Sequence, residues 1–299
     1  MMRRSCVDHT ISGRAVVVLL FLVVVFVTRL QAAPLDVFVA IPPQQWLARQ
    51  LGGEFVHSQV LLDQGQEPHS YEPSPRQISA LFHSRLYCTM GLAFEREIVR
   101  KLRLAGGGPL IIDTTHDIKQ IPIGGPSLHG TRVGLDPHVW LAPDNLKIMA
   151  SNMTEAFCRS DPQHGVDYRH RYNKLVIVLD SLDQAIHTLL DPCHGAAFYV
   201  FHPAFGYFAH AYGLRQRAIE VAGKSPGPRR LHSLIQQAVA DGAKVIFVQP
   251  QFDPRSCRAI ARAIGGVVIP LDPLASDVMA NLRMMAESIH QALTATGPK

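Results

Sequence analysis

The chain has few aromatics (7 % of residues) and few charges (18 %). It has no HExxH helix, which removes a common metallohydrolase signature. It has no basic run interleaved with aromatics, so nucleic acid is not expected as a partner. Its cysteines show no paired CxxC spacing of a zinc ribbon. Its longest apolar run, residues 15–27, has thirteen members. A bilayer span needs about 20.

That run follows Arg3, Arg4 and Arg14 and gives way to Thr28-Arg29-Leu30-Gln31-Ala32-Ala33-Pro34. A basic start, a short apolar stretch and small residues at its end predict a cleaved secretory signal over residues 1–33. Cys6 precedes the run, so it is not placed for lipid attachment behind a signal. Without residues 1–32 the chain keeps 25 basic and 23 acidic residues, a net charge of +2 with His neutral. The mature chain is therefore close to neutral. It keeps Cys88, Cys158, Cys193 and Cys257. In an exported protein an even count permits disulfides, and Cys193–Cys257 or Cys158–Cys193 are the bridges to look for. Cys88 lies in an apolar run and reads as a buried thiol.

From Leu35 onward short apolar runs alternate with helical stretches. Strands are expected over 36–41, 55–62, 85–90 and 109–113, with helices over 44–50, 75–83 and 93–104. The scheme recurs with strands over 197–201, 216–221, 244–248 and 267–271. Helices are expected over 205–212, 228–240, 253–264 and 276–294, the last capped by Ser276. Such alternation predicts parallel sheets covered by helices. Between the two sets, Tyr172, Leu175, Val176, Leu179, Leu182, Ile186 and Leu189 recur at three- and four-residue steps. A helix over 166–190 would be about 37 Å long and could act as a spine. The expected organisation is α/β: residues 34–160 form one lobe, 161–192 the linking helix and 193–299 a second lobe.

Two phrases in the first half nearly repeat each other. Glu67-Pro68-His69-Ser70-Tyr71 leads to Pro75, and Asp136-Pro137-His138-Val139-Trp140 leads to Pro143. Each sets one histidine between an acid–Pro pair and an aromatic, and each proline suits the first position of a helix. Phe201-His202-Pro203 and Leu271-Asp272-Pro273 follow apolar runs in the second half. In α/β sheets ligands bind beyond the carboxyl ends of strands. His69, His138, His202 and Asp272 therefore form a candidate four-ligand metal site in the cleft between lobes. A lone loop histidine is usually a surface residue, so the case rests on the conjunction. His83, His170, His187, His210, His232 and His290 fall on expected helices. His116 and His129 flank a Gly/Pro loop that could carry weak metal contacts.

The segments EPHSYEPSP, DPHVWLAPDN, FHPAFGYFAHAYGL and LDPL resemble the signature segments of the periplasmic substrate-binding subunits of zinc and manganese ABC importers. The resemblance extends over nearly the whole mature chain. It implies two βα lobes joined by one long helix, with the ion in the cleft and His69, His138, His202 and Asp272 as ligands. It also implies a periplasmic protein, expected as a monomer, that hands its ion to a membrane permease and performs no catalysis. Zinc members often carry a long His- and acid-rich loop before the second ligand, whereas residues 115–135 here are short. Three imidazoles and one carboxylate suit Zn(II), and manganese members tend to have Glu where this chain has His202. Mn(II) binding is the alternative. A zinc hydrolase with the same ligands is another, although four protein ligands would close the sphere that catalytic zinc keeps open. An adhesin with a structural metal is a third.

Overall fold

The structure is a computed structural model, and it describes residues 33–124, 134–220, 226–253 and 255–295. Residues 1–32 of the expected signal, and His129, lie outside the described residues. Among the described residues no helix is long and apolar enough to cross a membrane.

The first sheet contains β1 (Leu35–Val39), β2 (Val56–Val60), β3 (Leu86–Thr89) and β4 (Leu110–Asp113), ordered β2-β1-β3-β4. The second contains β5 (Ala197–Val200), β6 (Arg215–Ala218), β7 (Val245–Val248) and β8 (Val267–Pro270), ordered β6-β5-β7-β8. Every pairing between these strands is parallel. Helices α1 (Pro42–Gly52), α2 (Pro75–His83) and α3 (Glu95–Ala105) accompany the first sheet. Helix α4 (Pro143–Ser160) leads into the spine helix α5 (Gly165–Leu190), and α6 (Gly206–Ala211), α7 (Pro228–Ala240), α8 (Arg255–Ala263) and α9 (Val278–Thr294) follow.

Local chemistry sets several of these ends. Pro42, Pro75, Pro143 and Pro228 open their helices, where a missing N–H costs nothing. Ser74 and Gln77 form a reciprocal capping box on α2. The cap of α9 is Asp277, whose side chain accepts from the Ala280 amide, rather than the expected Ser276. A carboxylate one residue closer to the helix reaches the open amide.

The spine buries Tyr168, Leu175, Leu179, Leu182, Ile186 and Leu190, the stripe expected from sequence shifted to include both ends. It touches α1, α4 and α9, and through them one apolar core runs from Leu35 and Val37 to Phe198, Phe247 and Ile289. The outer face of each sheet has its own smaller cluster. Phe38, Tyr87 and Leu102 belong to the first, and Tyr199, Ile246 and Ile260 to the second.

All four cysteines of residues 33–295 are free thiols, so neither expected disulfide forms. Cys193 sits in the shared core and Cys257 in the outer cluster of the second sheet. Opposite sides of a sheet cannot be bridged by two Cβ atoms about 4 Å apart. The Cys158 thiol instead donates to the Gly165 carbonyl at 3.5 Å. Cys88 is fully buried, as its apolar setting predicts.

One buried carboxylate organises the turn after β3. Glu95, 1 % exposed, accepts from the Tyr87 hydroxyl at 2.8 Å and from the Met90 and Leu92 amides at 3.0 and 2.8 Å. Burial raises its carboxyl above the ordinary glutamate value, against the lowering effect of these bonds. A carboxyl raised by folding contributes stability that is full below the unfolded Glu value and declines as pH rises through the folded one. Glu95→Ala leaves three buried donors unpaired and is expected to destabilise the protein by about 3 kcal/mol in urea unfolding at neutral pH. A loss under about 1 kcal/mol would mean that these bonds do not hold the turn.

Candidate metal centre

The four expected site residues leave the sheets at different exits. His69 lies in the loop between β2 and α2, and His138 just before the 3-10 turn Val139–Leu141 that leads to α4. His202 follows β5, and Asp272 follows β8. The exits of β5 and β7 flank the point where the second sheet's strand order reverses, the usual place for a ligand crevice.

Three of the four come together. The Nε2 atoms of His69 and His202 are 3.5 Å apart. The ring centroids of His138 and His202 are 5.3 Å apart, and those of His69 and His202 are 5.1 Å apart. Two imidazoles on one tetrahedral zinc, with bonds of about 2.0–2.1 Å, would place their nitrogens about 3.3 Å apart. The His69–His202 edge is therefore close to a ligand edge. All three rings line a cavity of about 30 Å³, together with Glu67, Trp140, Gln249, Gln251 and Phe252.

Asp272 does not join them. Its Oδ1 accepts from the Gln251 amide at 3.2 Å and from the Leu274 backbone at 2.9 Å. It is not among the residues lining the cavity, although Pro273 and Leu274 are. Among the described residues no group of three or more His, Cys, Asp or Glu side chains is arranged to hold an ion as it stands.

Each histidine has a carboxylate partner. Asp136, fully buried, accepts at Oδ1 from both the backbone N–H and Nδ1 of His138, at 2.9 and 2.7 Å. Glu220, 6 % exposed, lies 3.1 Å from His202 Nδ1. An ionised carboxylate only accepts, so in both pairs Nδ1 carries a proton, and in the neutral ring the lone pair is then on Nε2. Such a pairing fixes ring orientation and raises donor basicity. Glu67 works through the backbone, accepting from the His69 and Ser70 amides at 2.9 and 2.8 Å. Burial raises the Glu67 carboxyl, but the His69 amide, the Ser70 hydroxyl and the neighbouring imidazole bring it below the ordinary glutamate value.

Second-lobe residues frame the site further. Gln249 bonds both ways with the His202 backbone, accepting its N–H at 3.2 Å and donating to its carbonyl at 2.8 Å. Phe252 stacks on the His202 ring at 5.4 Å. Trp140 Nε1 donates to the Pro273 carbonyl at 2.7 Å, tying the His138 turn to the Asp272 loop. Asn281 of α9 holds the Asp272 carbonyl at 2.7 Å. Gln249, Gln251 and Phe252 did not stand out in sequence. Two amides beside a proline at the end of an apolar run, Val248-Gln249-Pro250-Gln251, are the signal that could have found them. His116 is exposed, contacts Asp117 at 3.5 Å and does not line the cavity.

The model of a family described as "Zinc-uptake complex component A periplasmic" matches residues 37–295. A protein of Chlamydia trachomatis called "Putative metal-binding protein" is 29 % identical over 252 residues, 84 % of this chain and 89 % of its own length. A crystal structure of ZnuA superposes with a TM-score of 0.81 at 34 % identity, covering 87 % of this chain and all of that one. A zinc-bound deletion mutant of ZnuA gives 0.80 at 35 %, covering 87 % and 98 %.

Trp140→Phe keeps an aromatic ring, smaller than the indole, and removes the donor to the buried Pro273 carbonyl. It is expected to destabilise by about 1–3 kcal/mol in chemical unfolding. An unchanged midpoint would show that the turn and the loop are not tied by this bond.

Proposed function

Because the chain belongs to the zinc-uptake complex component A family of periplasmic proteins, we propose that it captures Zn(II) in the periplasm and delivers it to a cognate ABC permease. Residues 1–33 serve as the export signal, and the mature chain works as a monomer. The ion's ligands are His69, His138, His202 and Asp272.

The observation that carries this reading is the pair of buried carboxylate–imidazole contacts, Asp136 to His138 and Glu220 to His202, beside a third imidazole. Both contacts engage Nδ1 and leave Nε2 as the donor. The exposed His57 makes a similar Nδ1 contact with Asp36 at 2.7 Å, and what sets the two site pairs apart is their burial. Asp272 completes the set by turning its carboxylate from the Gln251 amide to the ion. Three nitrogens and one carboxylate favour Zn(II), and Mn(II), which prefers oxygen donors, is the weaker competitor.

The cavity supports cargo binding over hydrolysis. About 30 Å³ holds one ion or water, whereas organic ligands occupy pockets of about 300 Å³ or more. The relatives called ZnuA carry names of high-affinity zinc uptake systems, in line with capture for import.

Single substitutions of His69, His138 or His202 by Ala are expected to weaken zinc binding at least about 10-fold without unfolding the protein, read by competition with a chromophoric chelator. Wild-type affinity in all three would sink the proposed site. Glu220→Gln is expected to weaken binding about 10–100-fold. An amide can donate to His202 Nδ1 and so shift the ring proton to Nε2, where the ion must bind. Unchanged affinity in this variant would remove Glu220 from the site's design.

A further inference from the structure

We infer that Gly206, on the second lobe, is a positioning residue for His138, acting through the Asp136 carboxylate; this rests on the proposed role of His138 as a zinc ligand. Asp136 gives Oδ1 to the His138 backbone and ring. Its other oxygen, Oδ2, is buried and has no hydrogen-bond partner among the described residues. That oxygen lies against the Gly206 backbone at the start of α6. A Cβ on Gly206 would fall far inside van der Waals contact with Oδ2, and 3.5 Å from the Asp136 Cγ and 3.6 Å from Ile121 Cδ1.

Backbone conformation does not call for glycine here, because Gly206 is not among the residues with positive φ. Helix propensity does not call for it either, since Gly is a poorer helix former than Ala. What glycine supplies is room for the carboxylate.

Asp136 has little freedom to yield. It is 0 % exposed. Its backbone N–H donates to the Ile121 carbonyl at 2.9 Å, and the Ile121 N–H donates to the Tyr207 hydroxyl at 3.3 Å. Tyr207 is the residue after Gly206, so α6 holds the segment beside Asp136 while its first residue sits against the carboxylate. A methyl group at 206 must therefore rotate the carboxylate and pull Oδ1 from Nδ1. His138 would lose the partner that sets its tautomer and orientation. The orientation of a first-lobe ligand is thus set by the seating of a second-lobe helix.

The test is a double-mutant cycle on the full mature chain with Zn(II) as ligand. Gly206→Ala is expected to weaken zinc at least about 10-fold, the usual effect of losing a ligand's outer partner. In an Asp136→Ala background the same change should have no further effect, because there is no carboxylate left to displace. Long-range proton–nitrogen spectra of the His138 ring should show the Nδ1–H form in wild type and its loss in Gly206→Ala. If Gly206→Ala does not fold, Gly206→Ala combined with Asp136→Ala should restore folding, and failure to do so overturns the inference. Equal effects of Gly206→Ala with and without Asp136 would also overturn it. If His138→Ala weakens zinc but Gly206→Ala stays within 2-fold of wild type, this inference alone fails. If His138→Ala binds as wild type does, the ligand reading fails.

Discussion

The fixed proton positions on His138 and His202 are the constraint on which the site depends. An imidazole offers a metal only the nitrogen that lacks a proton, and a free ring can present either. Here the choice is made by two carboxylates buried with the rings. Burying such groups is costly unless they are paired, so the pairing and the burial require each other. The acids come from different places: Asp136 is two residues from its histidine, and Glu220 is eighteen from its own. Each needs the backbone around it held still. The Trp140–Pro273 bond, the two-way Gln249–His202 clamp and the Asn281 contact to Asp272 do that holding.

Rigidity at longer range comes from the spine. Because α5 packs on α1, α4 and α9, the inner faces of both sheets share one apolar core. Two sheets with separate cores would be free to hinge about a linker, as domains with small interfaces do. Here, separating the sheets would expose apolar side chains such as Leu179 and Leu182. Among the segments bearing a candidate ligand, the His69 loop is the most exposed.

Sequence was a good guide wherever the signal was local. Pro75 and Pro228 open α2 and α7, and His83 and Ala240 close them, as the pattern predicts. The spine's stripe was legible because a 3.6-residue period over 26 positions has few other readings. The ligand phrases stood out because acid, proline, histidine and aromatic are adjacent in the chain. What depends on tertiary placement was not legible. Glu220 meets His202 only through parallel pairing of β5 and β6. Cys193 and Cys257 count as a possible pair until the sheet is seen between them. Asp272 has the right neighbours in sequence, but its hydrogen bonds turn it toward Gln251 and Leu274. The need for Gly206 is visible only when Asp136 is seen against it.

The two sheets are wired alike, and the likeness continues one residue past the strands. The Leu62 amide donates to the Ala40 carbonyl in the first sheet, and the Glu220 amide to the Phe201 carbonyl in the second. By that register Ile41 stands where His202 stands, and Leu62 where Glu220 stands. Ile41 and Leu62 are both fully buried. One half of a duplicated plan thus fills the crevice position with two aliphatic side chains, and the other fills it with an imidazole–carboxylate pair. Neither choice disturbs a ladder hydrogen bond. The scaffold sets where a pair of side chains will meet without dictating what the pair is, so chemistry can be rewritten at one exit while its twin continues to serve as core.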